Sequence, residues 1–301
     1  MASSPNALVA TLVANPSQPV LTDEIVGLAA ASLGHETERS VLARGIAADL
    51  AVPAPAEAKA VEATLRQALA GQPIDIVVQP LETRRKRLFL ADMDSTMIGQ
   101  ECIDELADYV GLKKEVSEIT ERAMRGEIAF EPALRERVAL LKNLPVNVVD
   151  EIIEKRITLT PGGRALVQSM RANGAYTCLV SGGFTLFTSP IGTKIGFHEH
   201  RSNRLIVEGE KLTGTVEEPI LGREAKLATL IELRTRFGLE HHETMAVGDG
   251  ANDLAMLGEA GLGVAFHAKP AVAAASHARI DHADLSALLY VQGYREGEIT
   301  A

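Results

Sequence analysis

The sequence predicts an α/β fold in which a small amino-terminal α/β unit precedes a larger domain built on a parallel sheet. Three observations carry this expectation. Short apolar runs recur at Arg87 to Ala91, Tyr176 to Val180, Thr244 to Val247, Gly263 to Phe266 and Ala278 to Asp281. Helical stretches separate most of them, and continuous apolar runs bounded by Gly and Asp suit strands covered on both faces. The first three runs end in Asp92-Met93-Asp94, Ser181-Gly182-Gly183 and Gly248-Asp249-Gly250. An open α/β sheet keeps its chemistry at the carboxyl ends of its strands.

In the amino-terminal unit, Leu8 to Val13 reads as a strand and Thr22 to Ser32 as a helix, with Thr22 or Asp23 as N-cap. Val41 to Val52 reads as one weak strand. Glu57 to Ala70 has a helical pattern closed by Gly71, and Ile74 to Val78 is a β run. The boundary falls within Gln79 to Arg87, dividing the chain into residues 1–84 and 85–301.

In the larger domain, residues of about 98–158 interrupt the strand-helix alternation. Ile103, Leu106, Ala107 and Val110 keep helical spacing, as do Leu134, Val138 and Leu141, and Val148, Val149, Ile152 and Ile153. A helical insert placed after the first strand would sit over the strand ends as a cap. From Phe197 to Val216 the chain carries β-type segments such as Leu205-Ile206-Val207, read as a second, smaller flap.

Composition narrows the function. The 301 residues carry a formal net charge of −10 and no long basic run, which disfavours nucleic acid. Arg84-Arg85-Lys86-Arg87 is short and reads as a solvated linker flank. Cys102 and Cys178 lack metal-ligand spacing, which fits a reducing compartment rather than a disulfide framework. No apolar run is long enough for a membrane span and no signal peptide is recognisable, so a cytoplasmic enzyme is the expectation.

The strand ends suggest phosphate chemistry. Residues two apart on a strand point the same way, so Asp92 and Asp94 are expected to face one centre, one as nucleophile and one as acid/base. Two close acids repel, and a cation relieves the repulsion. Asp92 and Asp249 are hard oxygen ligands suited to Mg²⁺. Asp92 could form an aspartyl-phosphate while Asp94 exchanges the proton. Ser181 and the Gly182 amide suit phosphoryl oxygens, and Lys226, in a helical stretch, could balance the charge. The plainer readings are turns for the Gly-rich segments, a surface lysine for Lys226, and exposed loop histidines for His198, His200, His241 and His242.

Taken in order, Asp92-Met93-Asp94-Ser95-Thr96, Ser181-Gly182-Gly183-Phe184-Thr185, Lys226 and Gly248-Asp249-Gly250-Ala251-Asn252-Asp253 resemble the four motifs of the haloacid dehalogenase (HAD) superfamily, over about residues 85–290. Within it the likeness is to the phosphoserine phosphatases. That resemblance implies a Rossmann-like HAD core, a helical-bundle cap inserted after the first motif, and an ACT-like amino-terminal domain. It implies Asp92 as nucleophile and Asp94 as general acid/base. Mg²⁺ would be held by Asp92, Asp249 and the main-chain carbonyl of Asp94. Ser181, Gly182 and Lys226 would bind phosphate, Asn252 would support the site, and Asp253 would orient metal-bound water or Lys226. In the cap, Glu101 would read the ammonium of O-phosphoserine and Arg137 its carboxylate, with Met124 and Phe130 closing over it. A zwitterion needs one anion and one guanidinium, and Arg can grip a carboxylate with two bonds.

The implied activity is Mg²⁺-dependent hydrolysis of O-phospho-L-serine in serine synthesis, by a protein that could be a homodimer. Two rivals share the sequence: a phosphotransferase or phosphatase acting on another small phosphomonoester, and a serine-sensing regulatory protein. A membrane cation pump uses the same intermediate but needs membrane spans.

Overall fold

The computed structural model describes residues 7–124 and 127–300, with the side chains of Ala123 and Met124 outside the described set. The amino-terminal part runs β1 (Leu8–Ala14), α1 (Asp23–Ser32), β2 (Arg39–Ala43), β3 (Ala47–Val52), α2 (Ala58–Ala68) and β4 (Ile74–Pro80). Its strands form an antiparallel sheet in the order β2-β3-β1-β4. Thr22 caps α1 by accepting a hydrogen bond from the Ile25 amide. The single strand expected over Val41 to Val52 is two strands. Gly45, at φ 75°, turns the chain between them, a conformation that glycine adopts at little cost.

Every residue of β1 is buried, so both faces of this sheet are covered. Leu8, Ala10 and Leu12 pack with Val26, Ala29 and Leu65 of α1 and α2. Val13, with Val77 and Ala47, belongs instead to the core that holds the rest of the chain. The period of two along a strand separates these two destinations.

The second part runs β5 (Leu88–Ala91), α3 (Cys102–Tyr109), α4 (Lys113–Met124), α5 (Phe130–Ala139), α6 (Val148–Lys155), α7 (Gly163–Ala172), β6 (Tyr176–Phe184), α8 (Thr185–Ile195), β7 (Glu199–Asn203), β8 (Leu205–Glu208) and β9 (Lys211–Val216). It continues through α9 (Arg223–Arg236), β10 (Thr244–Gly248), α10 (Leu254–Glu259), β11 (Leu262–Phe266), α11 (Pro270–Ala275), β12 (Ala278–Ile280) and α12 (Ala287–Val291). Six strands form a parallel sheet in the order β12-β11-β10-β5-β6-β7. Phe89 and Ala91 face one core, and Leu88 and Leu90 face the other, so β5 is buried on both sides.

Two expectations change here. The stretch from Phe197 to Val216 is not one flap: β7 joins the parallel sheet as its edge strand, and only β8 and β9 form a separate hairpin. Within the insert, α4 adds a helix that the apolar spacing did not reveal, because Val116 and Ile119 are its inward-facing apolar residues. The insert leaves and rejoins the core through a short ribbon. Ile98 bridges Leu159, and the Gly99 amide donates to the Thr158 carbonyl at 3.0 Å.

The sheets are tied through α12, all of whose residues are buried. The Asp75 carboxylate of β4 accepts the amides of Asp281, His282 and Ala283 at 2.8, 3.1 and 2.8 Å. The Gln79 side-chain amide donates to the Val291 carbonyl at 2.8 Å. No helix among the described residues is long and apolar enough to cross a membrane.

Candidate active site

The site lies where β5, β6 and β10 end. The chain leaves the sheet at Ala91, so Asp92 and Asp94 do not alternate along a strand as expected. Asp94 takes φ −65° and ψ 136° inside a wide turn over Met93–Met97, and Ser95 follows at φ 55°. The turn, rather than the pleat, gathers the two acids beside β6.

Asp92 is buried and its Oδ1 accepts from the Met93 amide at 2.8 Å. The same oxygen lies 2.7 Å from Nζ of Lys226, which lies 2.7 Å from Asp253 Oδ1. Lys226 is 1% exposed, so the plain reading of a surface lysine does not hold. Its helix, α9, points it inward beneath the sheet edge between two carboxylates. Burial lowers its pKa, but Asp92 and Asp253 outweigh burial and hold it above the usual lysine value. Oxygens of Asp92, Asp249 and Asp253 lie within 4.8 Å of one another. Thr96 donates to Asp249 Oδ1 at 3.2 Å and fixes that carboxylate.

Burial and Asp253 raise the Asp92 pKa well above the carboxylate range, against the pull of Lys226. Burial raises Asp94 to about 7, helped by Glu101. Burial and Asp253 also raise Asp249. Lys226 alone therefore does not neutralise the cluster. Asp94 Oδ1 is buried without a hydrogen-bond partner among the described residues. An all-oxygen donor set and excess negative charge fit a hard divalent cation such as Mg²⁺.

Ser181 is buried at the end of β6, and its Oγ accepts the Gly183 amide at 2.9 Å. A Cβ at Gly183 would stand 3.0 Å from Ser181 Oγ and 3.2 Å from Asp94 Oδ2, so glycine permits this approach. Gly182 presents its backbone beneath the Phe130 ring, whose nearest atom lies 3.5 Å from where a Cβ would sit. Phe130 thus lies over the second motif. Asn252 is exposed, with its Oδ1 folded against Gly250.

In the cap, Ser95 Oγ donates to Glu101 Oε1 at 2.7 Å. Desolvation raises the Glu101 pKa, with Asp249 and Asp104 raising it further while Ser95 and Arg137 lower it. Arg137, on α5, is half-buried and donates to the Ala133 carbonyl at 3.2 Å and to Thr120 Oγ1 at 3.4 Å. Among the described residues it makes no ion pair. Burial lowers its pKa, with Asp104 and Glu101 opposing. The expected role of Met124 lies outside the described residues, since its side chain is not among them.

Sequence reasoning missed Asn203. It is buried at the end of β7, where Nδ2 donates to the Gly182 and Leu221 carbonyls at 2.8 and 3.0 Å and Oδ1 accepts the Leu221 amide at 2.6 Å. It pins the glycine loop to the segment that starts α9. A lone Asn in a polar edge strand carries no signal of this. The histidines take separate roles: His198 Nδ1 accepts the Thr177 amide, and His200 Nδ1 pairs with Thr188. Cys102 and Cys178 are free and buried.

Residues 89–258 match the haloacid dehalogenase-like hydrolase family. The chain belongs to this family. Among curated HAD relatives, a phosphoserine phosphatase of Archaeoglobus fulgidus is 46% identical over 198 residues, covering 65% of this chain and 57% of that protein. The chain therefore spans little more than half the length of that relative. A phosphoserine phosphatase of Polaromonas is 44% identical over 224 residues, covering 73% of this chain and 95% of that protein. The crystal structure of a probable phosphoserine phosphatase from Vibrio cholerae superposes with a TM-score of 0.78 at 30% identity, covering 97% of this chain and 88% of that one.

Proposed function

We propose that this HAD protein is a Mg²⁺-dependent phosphoserine phosphatase. The observation that carries the reading is the pairing of buried Asp92 with Lys226 beside an Asp94 carboxyl that burial holds near neutrality. Lys226 favours the Asp92 anion against burial and Asp253, a bound divalent cation would complete that neutralisation, and Asp94 keeps a proton to give.

Asp92 attacks phosphorus and forms an aspartyl-phosphate, and the bond from phosphorus to the serine oxygen breaks. Asp94 donates its proton to that oxygen, which leaves as the serine hydroxyl. Asp94 then takes a proton from water, whose oxygen attacks phosphorus and breaks the bond to Asp92. Inorganic phosphate leaves and both carboxyl groups return to their starting states. Asp92, Asp249 and the Asp94 carbonyl would hold Mg²⁺, which supplies charge neutralisation to the phosphoryl oxygens. Ser181, Gly182 and Lys226 bind the phosphoryl group, and Asn252 supports the loop beside them.

Glu101 and Arg137 select the substrate. The half-buried guanidinium, which makes no ion pair among the described residues, supports Arg137 as the carboxylate anchor. Glu101, at the start of α3 and held by Ser95, would take the ammonium. Phe130 covers the substrate. The names of the curated relatives support the same substrate. The proposal includes a division into an ACT-like domain over 1–84 and a phosphatase domain over 85–301, supported by the two separate sheets. It also places the enzyme in the cytoplasm and in the route to L-serine.

The test is phosphate release from L-phosphoserine with Mg²⁺, beside EDTA and a panel of sugar and nucleotide phosphates. Fast, metal-dependent release confined to phosphoserine is expected. Activity confined to other phosphates would overturn the assignment of Glu101 and Arg137.

A further inference from the structure

A cavity of about 380 Å³ lies beside the active-site turn, where three parts of the chain meet. Asn15 and Ser17, which follow β1, line it from the amino-terminal sheet. Thr158 and Thr160 line it from the returning arm of the cap hinge, and His267 and Asp284 line it beyond the ends of β11 and β12. Ser95 and Gly99 complete the wall from the active-site turn and the outgoing arm.

The surroundings are mechanically informative. The hinge is a ribbon closed by Gly99 N–H to Thr158 O and Thr160 N–H to Met97 O, both at 3.0 Å. The Gln100 side chain clasps Thr158, accepting its amide at 2.9 Å and donating to its hydroxyl at 3.0 Å. Ser95 and His267 hold positive φ angles, 55° and 45°, which are unusual for residues with a side chain. Both strained positions line the same cavity. Strain of this kind clusters at binding and switching sites.

The lining chemistry is one-sided. Among the described residues Asp284 supplies the only carboxylate, and neither lysine nor arginine lines the wall. Asp284 Oδ1 already accepts from the Ser286 amide and hydroxyl, while Oδ2 has no hydrogen-bond donor among the described residues. His267 Nε2 lies 2.9 Å from the Ala283 carbonyl and donates to it. Asn15 Nδ2 donates to the His282 carbonyl, and its Oδ1 accepts from the Ser17 amide and hydroxyl. Leu159 and Phe266 add an apolar wall. Among the described residues the cavity therefore offers a carboxylate oxygen to a ligand, with neither lysine nor arginine to hold an anion.

We propose that this cavity binds a small primary ammonium compound lacking a carboxylate, and that its occupancy steadies the cap hinge. The ammonium donates to Asp284 Oδ2, and the carbon chain lies on Leu159 and Phe266. A ligand seated there touches the hinge, the catalytic domain and the amino-terminal loop together. Neither Glu101 nor Arg137 lines the cavity, although Ser95, which donates to Glu101, forms part of its wall, and binding here is tested independently of the phosphatase reading.

The experiment is calorimetric titration of the full chain with ethanolamine, with ethylene glycol as the neutral isostere and glycolate as the anion. Saturable binding of ethanolamine, at least about tenfold tighter than either control, is expected for a charge-assisted bond. Asp284→Asn keeps an acceptor for Ser286 but loses the charge, and should weaken binding by a similar factor. Ser17→Trp fills the mouth from the other side without touching Asp284, and should also abolish binding. Hydrogen exchange at the Gly99 and Thr160 amides should slow when ethanolamine is bound. Absence of saturable binding, equal affinity for glycolate, or unchanged affinity in both variants would overturn the site. Unchanged exchange at the two amides would overturn its link to the hinge.

Discussion

Nζ of Lys226 lies 2.7 Å from Asp92 Oδ1 and 2.7 Å from Asp253 Oδ1, with the lysine almost wholly buried. This one cation, carried on α9, joins the acid at the end of β5 to the loop that follows β10. Replacing it with Met leaves two buried carboxylates without their partner. Breaking such a pair costs about 3–5 kcal/mol. Lys226→Met should therefore lower Tm strongly and reduce kcat by at least about 10²-fold, as loss of a transition-state charge donor does. Thermal melts and steady-state kinetics check both.

The Asp94 carboxyl makes a separable prediction about pH. Its folded pKa, about 7, lies above the ordinary value of 3.8, raised by burial and by Glu101. A group raised on folding stabilises the fold fully below its unfolded pKa, and that stability is lost as pH rises through the folded pKa. Without metal, wild-type stability relative to Asp94→Asn should thus fall between pH 4 and pH 7. Added Mg²⁺ should recover most of the difference, because a nearby cation favours the ionised acid. Denaturant melts of both proteins across this range, with and without Mg²⁺, would show it.

Arg137 is expected to act on substrate choice rather than on the chemical step. Arg137→Ala should raise KM for phosphoserine by about 10- to 100-fold, the usual scale for losing a charge-assisted bidentate contact. An aryl phosphate, which lacks the carboxylate, should show little change. Parallel losses on both substrates would remove Arg137 from this role.

Asp75 binds the two sheets together by accepting three consecutive amides. Asp75→Ala leaves the buried Ala283 amide and the part-buried Asp281 and His282 amides unsatisfied and should cost about 2–4 kcal/mol. The Asp75 carboxylate bonds only to the Asp281, His282 and Ala283 amides among the described residues and to none of the clustered acids, so kcat per folded molecule should stay within about twofold of wild type. Chemical denaturation and active-site titration separate the two effects.

The legibility of these features in the sequence follows from burial. β5, β10 and β11 are covered on both sides and read as apolar runs. β7 is an edge strand of sequence Glu-His-Arg-Ser-Asn, so no apolar run marks it. The inward faces of α3, α5 and α6 announce the cap, whereas α4 buries too little to show its period. The motif acids and Lys226 were identifiable from their order along the chain. Their geometry was not, because Asp94 depends on a turn with Ser95 at positive φ rather than on strand alternation. Asn203 and Asp75 act through backbone groups distant in sequence, and neither sits in a pattern that betrays its partner. Nor does the strand pattern of β1 reveal that its second face meets α12, because that needs the tertiary arrangement.

The most direct test is to find the phosphorus on the enzyme. Protein mixed with ³²P-labelled phosphoserine and Mg²⁺ would be quenched in acid within one turnover and digested, and the labelled peptide would be sequenced. Label on Asp92, absent from Asp92→Asn under the same conditions, is the predicted result. Phosphate release with label on another residue, or Asp92→Asn turning over at the wild-type rate, would contradict it.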